Sequence, residues 1–316
     1  MPARTTLSLV KRFPNSTARN RVLALSAALL VLAFGPGDRS AFGLAASSQG
    51  VSGGLGRILL GAHVQPLSSP STKPQVLAFE GSLGRKLDID NVYPGFVWPI
   101  GYKGRAQWDI SGGRTPMFSW SPRVGTGCAT FAEIESGKYD RQLNSQAAII
   151  RSLHSTVWLR LFFEPDMDAQ RCANPNQNPQ LYIAAFRHVV GIFRADGVTN
   201  VKWMWAPGYP LYASGHWSTW YPGSDVVDIV AEDTYNATTT QESFSAAVCT
   251  VAPKLGKPFA ITETGALAPE QAKWLGNIKQ ACPGLTAFIY FDAVGSAGYD
   301  YRLGAAGLAA FKAIGQ

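Results

Sequence analysis

The chain has 316 residues, 46% hydrophobic and 16% charged, which is enough apolar material for a large core and excludes disorder as a description of the whole. The net charge of +7 suggests nucleic-acid binding until it is located. Residues 1–45 carry +5 of it and residues 46–316 only +2, so the folded part has no electrostatic footprint for phosphate backbones and no nucleic-acid partner is expected.

The amino-terminal segment reads as a leader. Basic residues through Arg19 and Arg21 precede the apolar run 22–34 (VLALSAALLVLAF), and small residues including Gly43, Leu44 and Ala45 follow. That order matches a secretory signal, and the run is short for a hydrocarbon core of about 30 Å. Residues 1–45 are therefore assigned to a signal peptide or an uncleaved anchor. The Gly-, Ser- and Ala-rich stretch 35–56 reads as flexible, with 46–56 as the linker and 57–316 as the folded domain. The expected location is secreted or periplasmic, with membrane contact only through the leader.

From residue 57 onward one rhythm repeats: a short apolar run, a turn, then an amphipathic segment. The runs are 57–64, 87–93, 116–120, 157–163, 201–206, 226–231, 258–262 and 285–291. Helices are predicted over 75–86, 139–154, 179–195, 241–254, 269–281 and 305–314, with the segments after the second and fifth runs less clearly helical. Eight apolar runs without strict polar alternation suit strands covered on both faces. The spacing predicts an α/β fold, a single (β/α)8 TIM barrel. A doubly wound open sheet is disfavoured, because no GxGxxG motif opens the first strand–helix turn and no GxxxxGK[ST] occurs.

Active sites in such barrels lie at the carboxyl ends of the strands. The fourth run leads into Glu164 and the seventh into Glu263. Glutamate is rarely buried without a partner, so two at apolar strand ends require a reason. Carboxylates facing each other across a sugar-sized gap are the machinery of glycoside hydrolysis. Each glutamate could instead be a strand-end acid paired to an interior arginine.

Arg160 and Glu164, the segment 200–207 (NVKWMWAP), the run 220–230 (WYPGSDVVDIV), Asp233, Thr234 and Tyr235, and Glu263, Thr264 and Gly265 together resemble glycoside hydrolase family 26, which contains mainly β-mannanases. The resemblance implies a retaining double displacement with Glu164 as acid/base and Glu263 as nucleophile. It also matches Arg160 to the family's fourth-strand arginine and Tyr235 to a tyrosine that hydrogen-bonds the nucleophile. The chain departs from the family pattern in having Phe163 before the acid/base in place of histidine, Ala169 in place of tryptophan, and Phe291 in place of tryptophan near the end of the eighth strand.

Other candidates rest on position. Asp233 is either a loop-bracing acceptor or a site residue. His63 ends the first strand and either bonds a sugar or is a satisfied structural histidine. Trp205, nearer its strand end than Trp203, either contacts substrate or packs. Trp220, in the loop after the fifth strand, either stacks on sugar or belongs to the core. Asp166 and Asp168 are loop residues able to meet a sugar hydroxyl.

The four cysteines, Cys128, Cys172, Cys249 and Cys282, suit two disulfides in an oxidising compartment. Bridges 128–172, across two loops of the catalytic face, and 249–282, between outer helices, are the expected pairing. No CxxC and no paired histidines occur, so neither metal nor cofactor is expected. The reading is an exported retaining endo-β-glycanase acting on β-1,4-linked polysaccharide, expected to be monomeric. The alternatives are a catalytically silent carbohydrate-binding barrel and a glycanase that acts on the producer's own exopolysaccharide or wall polymer.

Overall fold

The computed structural model describes residues 57–64, 72–97, 103–165, 178–236, 246–295 and 297–316. The leader, the linker, Asp166, Asp168, Ala169 and Cys172 lie outside the described residues. Eight strands, β1 (Leu59–Val64), β2 (Ile89–Val92), β3 (Thr115–Trp120), β4 (Val157–Leu161), β5 (Val201–Trp205), β6 (Ile229–Asn236), β7 (Phe259–Ala266) and β8 (Ala287–Asp292), close into one parallel barrel. Each corresponds to one apolar run of the sequence. Closure is made by β1, which pairs with β8 from Leu59↔Ala287 to Val64↔Asp292 and with β2 on its other edge. A two-residue hairpin, Arg123–Val124 against Gly127–Cys128, follows β3.

Five helices of nine or more residues stand among the described residues: α1 (Lys73–Leu83), α2 (Lys103–Ser111), α3 (Asp140–Ser152), α4 (Pro179–Ala195) and α5 (Ala305–Ile314). Local chemistry sets their ends. Thr72 caps α1 through a reciprocal capping box with Gln75, and Gly84 stops it in the left-handed region at φ 68°. Asn178 accepts from the amides of Gln180 and Leu181 to start α4, with proline next in the chain. The helix predicted over 241–254 is seen only as the short turns Val248–Val251 and Ala252–Leu255, and residues 237–245 are outside the described set. The one predicted over 269–281 divides into Gln271–Gly276 and Ile278–Ala281 around Asn277.

Strand alternation splits the core into two layers. Ile89, Met117, Trp158, Met204, Ala206, Ile229, Ala231, Ala260, Ala287 and Ile289 fill the barrel. A larger layer, including Trp203, Trp205, Phe288 and Tyr290, lies between strands and helices. Gly61 fits the inner layer because a Cβ there would sit 2.8 Å from Ile289 Cγ1 and 2.9 Å from Ile89 Cβ. Cys249 and Cys282 are disulfide-bonded to each other, as the sequence suggested, and Cys128 is disulfide-bonded as well.

Behind β2, Asp90 turns outward to α2. Arg105 Nε donates to Asp90 at 2.6 Å and stands 3.4 Å from Asp109. Burial, and then the charge of Asp90, push the Asp109 carboxyl up to about 8. Asp109 therefore holds its proton at neutral pH in the folded state but not in the unfolded one. With the folded pKa raised above 3.8, the unfolded chain releases the proton first as pH rises. This group's stabilisation is complete below about pH 4 and is lost between about pH 4 and 8, at up to about 1.4 kcal/mol per pH unit. Asp109→Asn is expected to remove that slope, gaining stability relative to wild type as urea unfolding is moved from pH 5 to pH 8. Parallel profiles for the two proteins would show that Asp109 is not its source.

Candidate active site

The carboxyl ends of the strands bring Glu164, Glu263, Arg160, Asp233, Tyr235, His63 and Phe291 into one region. The side chain at its centre is Arg160, fully buried on β4. Its Nη1 donates to Asp233 Oδ2 at 2.5 Å, its Nη2 donates to Glu263 Oε2, and its Nε donates to Ser119 Oγ at 2.8 Å. Burial works against a charge on Arg160, but Asp233 and Glu263 outweigh it and hold the guanidinium's pKa above its already high ordinary value. The face of Phe163 lies against the same guanidinium, 4.1 Å from ring centroid to Cζ.

Glu263 reaches this cluster through an irregularity. Along β7, Ala260 faces the barrel interior and Ile261 faces the helices. Strict alternation would then turn Thr262 inward and Glu263 outward. Instead the register slips: Glu232 pairs with Ile261 and Asp233 with Glu263, while on the other edge Phe288 pairs with Ile261 and Tyr290 with Thr264. One extra residue is accommodated at Thr262–Glu263, and a bulge of this kind re-aims a side chain. Thr262 Oγ1 donates to Asp233 Oδ1 at 2.8 Å, and Glu263 meets Arg160, so both consecutive side chains point inward.

Two tyrosines complete the hold on Glu263. Tyr93 Oη donates to Oε2 and Tyr235 Oη donates to Oε1, both at 2.6 Å. Burial first, and then the charge of Glu263, raise both phenols well above their ordinary value. Both hydroxyls therefore keep their protons and remain donors. Asp233 is pushed up by burial and by the Glu263 and Glu164 charges, with Arg160 opposing. One guanidinium is shared by two carboxyl groups, with the charge of a third, Glu164, also acting on Asp233, which favours retention of a proton in the cluster. Behind Tyr235 packs Tyr301, with ring centroids 5.0 Å apart. Tyr301 can approach because residue 265 is glycine: a Cβ there would lie 2.7 Å from its ring.

Glu164 sits just past β4. Phe162 and Glu164 are both in the left-handed region, at φ 48° and 51°. The Phe162 amide donates to Trp120 O at 2.9 Å and the Glu164 amide to Ala206 O at 2.8 Å, so the turn is tied to the ends of β3 and β5. Non-glycine residues in this region are uncommon and carry strain of about 1–3 kcal/mol. We expect Glu164→Gly to be more stable than Glu164→Ala by about 1 kcal/mol in thermal unfolding, because both delete the carboxyl but only glycine removes the Cβ. An alanine variant of equal or greater stability would mean that no strain is held there.

His63 joins the cluster as a brace. It is 3% exposed, its Nδ1 contacts Asn91 O at 3.0 Å, it stacks on Phe291 at 5.3 Å, and it meets Tyr93 edge-on at 4.7 Å. Burial lowers its pKa. Phe291 faces inward among His63, Tyr93, Tyr235 and Tyr301.

Two candidates belong elsewhere. Trp205 is fully buried in the outer layer and packs against Tyr212 and Tyr221 at 5.7 and 5.0 Å. It shares its strand face with Trp203, while Met204 and Ala206 take the barrel side, so proximity to the strand end did not put it in the mouth. Trp220, 9% exposed, packs against Tyr182 of α4 at 5.6 Å. Sequence reasoning also overlooked Tyr93, Asn91 and Ser119. For Tyr93 and Asn91 the signal was the second run, LDIDNVY, whose density of polar residues is unusual for a strand covered on both faces, whereas Ser119 is a lone hydroxyl in the apolar third run, PMFSW.

The model of Glycosyl hydrolase family 26 matches residues 149–314. Endoglucanase H of Acetivibrio thermocellus is 30% identical over 238 residues, covering 68% of this chain and 25% of that protein, so the chain spans about a quarter of that relative's length. Among solved structures, Bacillus subtilis mannanase man26 superposes with a TM-score of 0.64 at 19% identity over 80% of this chain and 84% of the other. A GH26 β-mannanase from Bacteroides ovatus gives a TM-score of 0.62 at 16% identity, over 82% and 88%. At these identities the structural likeness speaks for the fold.

Proposed function

Because the chain belongs to glycosyl hydrolase family 26, we propose that it is an exported, retaining endo-β-glycanase that hydrolyses a β-1,4-linked polysaccharide of the mannan type or a related β-glycan. The observation that carries this reading is the grip on Glu263, whose carboxylate accepts from Arg160, Tyr93 and Tyr235. Three donors stabilise the charged form and aim it, as a nucleophile requires. The sequence likeness to an endoglucanase and the fold shared with mannanases support a β-glycan as substrate. The amino-terminal leader supports export.

In the proposed reaction Glu263 attacks the anomeric carbon while Glu164 gives its proton to the departing glycosidic oxygen. A glycosyl ester on Glu263 and a shortened glycan result. Glu164, now a carboxylate, takes a proton from water as the water oxygen attacks the same carbon, and the ester bond to Glu263 breaks. The sugar leaves with its original configuration. This geometry requires the two carboxyls to be about 5–5.5 Å apart.

The test is release of reducing ends from mannan, glucan, xylan and bacterial exopolysaccharides, with the Glu263→Ala protein as blank and NMR of the first-formed anomer. The expected result is β-configured product from one β-glycan. Product of inverted configuration would overturn retention, and tight binding without release would favour a silent carbohydrate-binding barrel.

A further inference from the structure

Around Glu263 the polar side chains form a closed circuit. Arg160 Nε donates to Ser119 Oγ at 2.8 Å, and Ser119 Oγ donates to Asn91 Oδ1 at 2.7 Å. Asn91 Nδ2 donates to Tyr93 Oη at 3.3 Å, Tyr93 Oη donates to Glu263 Oε2 at 2.6 Å, and Arg160 Nη2 donates to that same oxygen. The direction of every link follows from one fact: a guanidinium has donors and no acceptor. Ser119 must accept from Arg160, so its own hydrogen goes to Asn91. That hydrogen fixes the Asn91 amide with its oxygen toward Ser119 and its nitrogen toward Tyr93. With the amide nitrogen donating to Tyr93 Oη, the phenolic hydrogen is free only for Glu263.

We propose that Asn91 and Ser119 are positioning residues that commit the Tyr93 hydroxyl to donate to Glu263. Both are fully buried, so neither touches a polysaccharide. They act through Tyr93, and the sense of their hydrogen bonds is set by the same arginine that holds the carboxylate directly. His63 braces the same element, because its Nδ1 contact is to the Asn91 carbonyl. The significance for Glu263 as nucleophile rests on the proposed function, but the circuit itself can be tested without any sugar.

Asn91→Asp reverses the circuit. The introduced carboxylate would accept from Ser119 with one oxygen and from Tyr93 with the other, drawing the phenolic hydrogen away from Glu263. Added negative charge would also raise the Glu263 pKa, so a single substitution is ambiguous. A double-mutant cycle separates the two effects. The readout is the titration of the Glu263 carboxyl carbon by NMR in 13C-glutamate-labelled protein, with the signal assigned from Glu263→Gln. In the wild-type background, Tyr93→Phe is expected to lower the acid dissociation constant of Glu263 about tenfold, the effect of losing one charge-assisted hydrogen bond. In the Asn91→Asp background the same Tyr93→Phe step is expected to have less than about a twofold effect, because Tyr93 no longer serves Glu263. Equal tenfold steps in both backgrounds would overturn the proposal. If Asn91→Asp fails to fold, Ser119→Ala is the second background: it removes the orienting donor and adds no charge. The Tyr93→Phe step should shrink there too, and an undiminished step would overturn the proposal. If no glycan is turned over while the cycle behaves as expected, the functional reading fails and the circuit stands.

Discussion

Replacing Glu263 with alanine is expected to lower turnover by at least about 1,000-fold, and replacing Glu164 is expected to cost about 100- to 10,000-fold. The two defects should differ in kind. With an aryl β-glycoside carrying a good leaving group, the Glu263→Ala protein has no nucleophile, and azide can occupy the vacated space. Attack from that face gives a glycosyl azide of inverted configuration. The Glu164→Ala protein still forms the glycosyl ester, because the leaving group needs no proton. Azide needs no general base, so it attacks the ester from the side of the missing acid/base and gives a product of retained configuration. The same anomer from both variants would remove the role assignment, and wild-type turnover in either would remove that residue from the reaction. The fold should survive both changes, since each deletes a carboxyl and leaves the strand pairing intact.

The largest loss of stability is expected at Arg160. Its guanidinium serves Asp233, Glu263 and Ser119 with no solvent exposure. Arg160→Met would leave two carboxylates, on side chains at most 4% exposed, without their shared cation. Breaking a buried pair by removing one partner costs about 3–5 kcal/mol, because the remaining charge is uncompensated. That loss should appear in urea unfolding at pH 7 and shrink as pH falls toward 4. Without the cation the folded-state carboxyl pKa values rise, so the proton each stranded group wants is supplied by acid. Adding Asp233→Asn to Arg160→Met should restore part of the loss. Arg160→Lys keeps the charge but gathers its donors on one nitrogen, which cannot span the acceptors now reached from three, so its defect should be larger in turnover than in stability. An Arg160→Met protein within about 1 kcal/mol of wild type at pH 7 would mean that the cluster does not depend on this cation.

Much of the architecture was legible in the sequence. All eight apolar runs correspond to barrel strands, because a strand covered on both faces cannot hide its composition. The ends were less secure. Run 226–231 became Ile229–Asn236, and run 258–262 became Phe259–Ala266. Both strands extend into segments that look too polar for a core, such as EDTYN and TETGA. They extend because the polar groups find partners in one another across the barrel mouth. Composition along one segment cannot report that, since the partners are distant in the chain: Arg160 lies 73 positions from Asp233 and 103 from Glu263. Trp205 is the reverse case, where closeness to a strand end suggested the mouth and alternation sent the ring outward.

By itself the sequence determined the repeat, the closed parallel architecture, the family, and the two strands, β4 and β7, that carry Glu164 and Glu263 toward the barrel mouth, although β7 continues past Glu263 to Ala266. These depend on local periodicity and on residue types that are costly to place at an apolar strand end without a reason. Which way each side chain points was decided by the tertiary structure. Glu263 faces inward only because β7 slips by one residue against both neighbours, and a slip is a property of paired strands that no single strand's pattern contains. Tyr93, Asn91 and Ser119 joined the site for the same reason. A hydrogen-bonded circuit exists only once the barrel has brought β2, β3 and β7 around the one arginine on β4.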